Sequence, residues 1–260
     1  MILNHNGIRL RVQVFGQRNN RPPLVFLNRF HLSYELGIFK IPHFAKNFFV
    51  VCYDQRGAGD SDKPSDEAAY SFDNFTDDLR FIVEELKLGT VILMGFAVSC
   101  KTAVKYTVKY PDEVSKLVLT CGNPSLTRSV NQADLLTFIQ NNYEEAIRSF
   151  MRRCLPEPNT DWQHDLLVTL ALKSNPFVAV SVLKNYYKDD IEPLLPKINV
   201  PTLIMHGDKD DVYPIERAHL FHELIPGSVL HVQKGKGHVP NLTDIEAYNT
   251  IVEGFLLQEK

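Results

Sequence analysis

Short apolar runs alternate with helix-length segments at both ends of this 260-residue chain, and that alternation limits its fold more than any other feature. The runs are Leu24–Leu27, Phe48–Tyr53, Val91–Met94, Leu117–Cys121 and Thr202–Met205, with Val229–Val232 a weaker sixth. Rich in β-branched and aromatic residues, they have the composition of strands covered on both faces. Between them lie Leu32–Ala45, Asp73–Leu86, Ser99–Tyr110, Ile215–Ile225 and Ile245–Leu257. In the second of these, Phe75, Leu79, Ile82, Val83 and Leu86 recur at helical spacing. Strand–helix alternation predicts an α/β chain with a mainly parallel, doubly covered sheet. Residues 1–15 alternate around Asn6-Gly7, a dipeptide suited to a tight hairpin.

The rhythm breaks between Asn123 and Asp190. Helical patterns run there without a convincing strand, punctuated by Pro156, Pro158 and Pro176. We expect a helical cap over 123–190, inserted into a core made of 1–122 and 191–260. Its larger apolar side chains are Leu136, Phe138, Phe150, Met151, Trp162, Leu167, Phe177 and Tyr186. Most of them should pack, and a few should line an apolar pocket.

A net charge of −3 without a basic run argues against a nucleic-acid partner. No apolar stretch approaches membrane-spanning length, and the amino terminus lacks a signal pattern, so a cytoplasmic protein is expected. Cys52, Cys100 and Cys121 sit in or beside apolar runs and read as buried thiols. No Cys/His spacing suggests a metal site.

Chemistry concentrates in five loops. The strand Val91–Met94 enters Gly95-Phe96-Ala97-Val98-Ser99 and then a helix. Leu24–Leu27 is followed by Asn28-Arg29-Phe30. Tyr53-Asp54-Gln55-Arg56-Gly57-Ala58-Gly59-Asp60-Ser61 follows another strand. The last strands lead to Gly207-Asp208-Lys209-Asp210-Asp211-Val212-Tyr213-Pro214 and to Gly235-Lys236-Gly237-His238. Taken together these resemble the α/β-hydrolase fold superfamily: the G-x-S-x-G elbow, the D-x-R-G-x-G-x-S loop, the G-x-x-D-x-x-x-P acid turn and a glycine-preceded histidine. The resemblance runs from about Leu24 to Leu257 and keeps the order elbow, acid, histidine.

It implies Asp210 as the acid, with Asp208 and Asp211 the next candidates, and His238 as the base. The backbone N–H groups of Val98 and Phe30 are implied as the oxyanion hole. The family often reads L-H-G-F where this chain reads Leu27-Asn28-Arg29-Phe30, so Arg29 is either a surface residue or a substrate contact. The central departure is Ala97, which stands where the nucleophile belongs. A methyl group can neither attack a carbonyl nor be activated by a histidine. Cys100 lies one helical turn further on and cannot replace it.

The resemblance therefore implies a serine hydrolase for a small, mainly apolar carboxylic ester or lactone, without cofactor, inactive because position 97 is alanine. A chain freed from catalysis could have lost Asp210 or His238 too, and their presence points to replacement of one residue in an intact hydrolase. The alternative is a non-catalytic ligand-binding or sensor protein. Alanine does not reveal whether serine, cysteine or aspartate preceded it. An aspartate would suit haloalkane or epoxide hydrolysis, and thioester, C–C and cofactor-free oxygen chemistry share the fold.

Overall fold

The computed structural model describes residues 1–29, 32–125 and 132–258. Eight strands form one sheet in the order β1-β2-β4-β3-β5-β6-β7-β8. They are β1 (Ile2–His5), β2 (Ile8–Phe15), β3 (Leu24–Leu27), β4 (Val50–Tyr53), β5 (Val91–Phe96), β6 (Val114–Thr120), β7 (Thr202–Gly207) and β8 (Val229–Gln233). Only the β1–β2 and β2–β4 pairs are antiparallel. The hairpin turns at Asn6 and Gly7, both at positive φ (51° and 84°), as its sequence anticipates.

The strands read as unbroken apolar runs because both faces are covered. Val25, Leu27, Val91 and Leu93 face one core with α2 (Phe72–Glu85), α3 (Ser99–Lys109) and α8 (Glu216–Leu224). Their neighbours Leu24, Phe26, Ile92, Met94 and Phe96 face the other, with α1 (Ile41–Phe44) and α10 (Ile245–Leu257). The segment 32–45, expected as one helix, is a 3₁₀ turn at Tyr34–Phe39 followed by α1. Pro42, in the first turn of α1, has no N–H to continue a helix from upstream. A four-residue helix, α9 (Pro240–Thr243), follows His238 and has no sequence signal of its own.

Between β6 and β7 come α4 (Gln132–Asn141), α5 (Tyr143–Arg153), α6 (Asp161–Ala171) and α7 (Pro176–Tyr186), with no strand among the described residues. Ile147, Met151, Leu167 and Val168 pack on Leu32, Leu36, Val239 and Leu242. Ile139, Ala146, Val178 and Val182 pack with Tyr70, Phe72, Phe75 and Val98. The four helices thus cover the loops at the carboxyl ends of the parallel strands, where α/β sheets hold their ligands. Of the apolar side chains expected to pack or face a pocket, Met151, Leu167 and Tyr186 are buried, and Leu136 and Phe150 half-buried. Phe138 and Phe177 are exposed, and Trp162, 48% exposed, leans edge-on against Phe39 on the outer surface.

Candidate active site

Ala97 sits on the turn between β5 and α3 at φ +51°, a left-handed conformation that costs an L-residue about 1–2 kcal/mol. Its N–H donates to the Thr120 carbonyl of β6 at 2.9 Å, and its carbonyl accepts from Cys100 at 3.1 Å. The turn is tight because α3 crosses close to β5: a Cβ on Gly95 would lie 3.0 Å from the Cys100 Cα. Ser99 occupies the family's second glycine position and is fully buried. Its Oγ accepts from the Phe96 N–H at 2.9 Å and donates to the Leu27 carbonyl at 2.7 Å, tying the elbow to β3. Ser99 is a structural hydroxyl. No acceptor among the described residues takes the Val98 N–H. Phe30, the other expected oxyanion donor, lies outside the described residues.

Asp210 and His238 meet. His238 Nδ1 donates to Asp210 Oδ2 at 2.8 Å, and both side chains are nearly inaccessible. Asp210 Oδ1 accepts from the Val212 and Tyr213 N–H groups at 2.8 and 2.9 Å. Burial pushes this carboxyl up, but His238, His206 and the Tyr213 N–H outweigh it and hold the group below its ordinary value. The acid and histidine loops touch through backbone. A Cβ on Gly207 would fall 2.2 Å from the Lys236 carbonyl oxygen, so this position requires glycine. The other two acids of the turn look elsewhere. Asp208 accepts from the Gly235 N–H at 2.6 Å, and Asp211 pairs with Arg153 at the surface.

Sequence reasoning missed a second imidazole on the acid. His206 Nε2 lies 3.3 Å from Asp210 Oδ2 and donates to the Tyr213 carbonyl at 2.8 Å. Burial lowers its pKa against the pull of Asp210. A histidine ending the apolar run Thr202–Met205 was the available signal. Cys121, His206 and Asp210 have donor atoms within 4.8 Å of one another. His206 donates to the Tyr213 carbonyl, Asp210 accepts from His238, and burial pushes the Cys121 thiol up. The Cys100 thiol is fully buried and pushed up to about 12, which leaves it unreactive. All four cysteines are free and buried.

Arg29 is neither at the surface nor directed into open space. Its guanidinium is buried, donates to the His238 carbonyl at 3.2 Å and the Asn241 Oδ1 at 2.8 Å, and lies 5.8 Å from the Phe96 ring centroid. On the same ring, at 3.6 Å, rests the ammonium of Lys40, another buried cation with no carboxylate beside it among the described residues. The Asp54 loop is structural. Asp54 accepts from the Tyr34 and Asp60 N–H groups at 2.7 and 2.9 Å, and Arg56 makes two 2.6 Å bonds to Asp78.

This constellation on this sheet places the protein in a known class: the chain belongs to the α/β hydrolase fold family, whose profile matches residues 22–245. A probable esterase of Oryza sativa subsp. japonica is 25% identical over 248 residues, covering 89% of this chain and 90% of its own length. The karrikin insensitive 2 receptor CA of Petunia hybrida is 26% identical over 215 residues, covering 78% and 80%. An esterase from Exiguobacterium antarcticum matches in structure with a TM-score of 0.92 at 24% identity, over 99% of this chain and 98% of the other. Among the described residues no single helix is long and apolar enough to cross a membrane.

Proposed function

We propose that this chain carries the site of a Ser-His-Asp-type hydrolase for a small, uncharged carboxylic ester or lactone, with alanine in the nucleophile position. The observation that carries this reading is Ala97 on a left-handed elbow with the His238–Asp210 pair assembled at the same edge of the sheet. With serine at 97, Oγ would attack the carbonyl while His238 Nε2 took its proton, and the Val98 and Phe30 N–H groups would receive the oxyanion. Collapse of that intermediate would expel the alcohol, protonated by His238, and water would clear the acyl group by the same steps. No cofactor enters. The helices over this edge of the sheet pack mainly apolar side chains, Ile147, Met151, Val178 and Val182 among them, which supports uncharged acyl groups.

The test is Ala97→Ser against activated esters and lactones of varied acyl part. Removing a triad nucleophile costs on the order of a millionfold in turnover, so the serine form should hydrolyse and the alanine form should be nearly inert. Within the series kcat/KM should rise with acyl length, each buried methylene contributing about 0.8 kcal/mol. An inert serine form supports a second reading, a ligand-binding protein without turnover. Likeness to a relative named as a receptor favours that second reading.

A further inference from the structure

His238 is held at three points. Its ring donates to Asp210, and its N–H donates to the Cys154 carbonyl at 3.1 Å. The third hold, on its carbonyl oxygen, is the guanidinium of Arg29, 209 residues away in sequence. The same guanidinium reaches Asn241 on α9 and the Phe96 ring, the residue before Ala97. One side chain therefore contacts the histidine loop, the helix after it and the strand that delivers the elbow.

This hold is costly to maintain. Arg29 is buried, and among the described residues no carboxylate pairs with it and its Nε meets no acceptor. Burying a guanidinium against two neutral oxygens alone gains less than pairing it with a carboxylate. The planar fork is nonetheless suited to fixing two acceptors at a set separation, which an ammonium cannot do. The resembled pattern often has glycine here, so the fold itself does not require a side chain at this position.

We propose that Arg29 is a positioning residue for His238: it fixes the histidine loop against α9 and the elbow strand, and so keeps the imidazole on Asp210. The proposal deepens the hydrolase reading for its kinetic consequence, but the geometry it asserts is independent of that reading. Arg29 does not touch the acyl group. Its contribution is to the alignment of His238, and misalignment of a base by about 1 Å can cost up to a hundredfold in rate.

The test begins with the chain as it stands. In ¹⁵N-histidine-labelled protein, the His238 Nδ1–H proton bonded to Asp210 should give a slowly exchanging downfield resonance. Arg29→Gly should broaden it or speed its exchange with water at least tenfold while the remaining amide spectrum stays dispersed. If Arg29→Gly does not fold, Arg29→Lys, which keeps a cation on Phe96 but cannot span both acceptors, should show the same effect in smaller measure. Unchanged exchange in a folded variant overturns the proposal. In the Ala97→Ser background, Arg29→Gly should lower kcat at least tenfold with KM within about twofold. A raised KM for anionic esters at constant kcat would overturn it by making Arg29 a substrate anchor. An inert Ala97→Ser parent would count against the hydrolase reading and leave the resonance test in force.

Discussion

Lys40→Met should stabilise the protein, and more so at low pH than at high. The Lys40 side chain is 1% exposed, its ammonium resting on the rings of Phe96 and Phe26 at 3.6 and 4.9 Å. Burial, reinforced by the charge of Arg29, lowers its pKa from 10.5 to about 7. At 1.36 kcal/mol per unit, that depression corresponds to about 5 kcal/mol against the charged form. Between the folded and unfolded pKa values the unfolded chain binds the extra proton, so stability rises with pH from about 7 to 10.5. Methionine is unbranched, uncharged and of similar length, and can take the same path through the core. Urea unfolding of both proteins at pH 6, 7.5 and 9 reads the difference directly, because other titrating groups cancel. The gain should be about 5 kcal/mol at pH 6 and fall to about 2 kcal/mol at pH 9. A gain that does not change with pH would refute the buried-charge argument. A loss of stability at pH 6 would mean that the rings more than repay the burial.

Two further substitutions probe how the site is held. Asp78→Asn leaves Arg56 buried without its two carboxylate bonds and releases His5, and should cost about 3–5 kcal/mol by denaturant unfolding. Gly237→Ala would place a Cβ 2.2 Å from the Pro156 Cδ, so the histidine loop must move. In the Ala97→Ser form it should lower kcat at least tenfold, and calorimetry should show a drop in Tm of several degrees.

The fold was legible because its strands are covered on both faces, so Leu24–Leu27 or Val91–Met94 stand out as apolar runs without helical period. The pairing of His238 with an acid was legible through motif order alone: Asp210 rather than Asp208 or Asp211 follows from alignment, and it is Asp210 that bonds His238. What stayed hidden depends on side-chain direction at long range. Arg29 in a loop has no sequence sign that it will bond residues 238 and 241. Lys40, between Phe39 and Ile41, reads as the polar face of a helix, whereas the break at Pro42 turns it inward. Trp162 and Phe138 read as cap core but face outward, since α4 and α6 carry more apolar residues than their buried stripes use.

The elbow carries strain that alanine does not repay. At φ +51° Ala97 bears about 1–2 kcal/mol of left-handed backbone energy, while its methyl makes no hydrogen bond and is small enough to bury little surface. Non-glycine residues persist in such conformations where their surroundings over-determine them. Here the constraints are the 2.9 Å bond from the Ala97 N–H to β6, the Ser99 hydroxyl bonded to β3, and the close α3 crossing at Gly95. None of these depends on the side chain at 97, so Ala97→Gly should leave the turn intact and relieve the strain. Glycine's added freedom in the unfolded chain takes back about 0.5–1 kcal/mol, leaving a gain of up to about 1 kcal/mol. That corresponds to a rise in Tm of about 2–4 °C by calorimetry. A position where glycine is the more stable choice, yet which projects a Cβ at the carboxyl edge of the sheet, is built to present a side chain. A fall in Tm on Ala97→Gly would remove that argument, because the alanine methyl would then be contributing packing of its own.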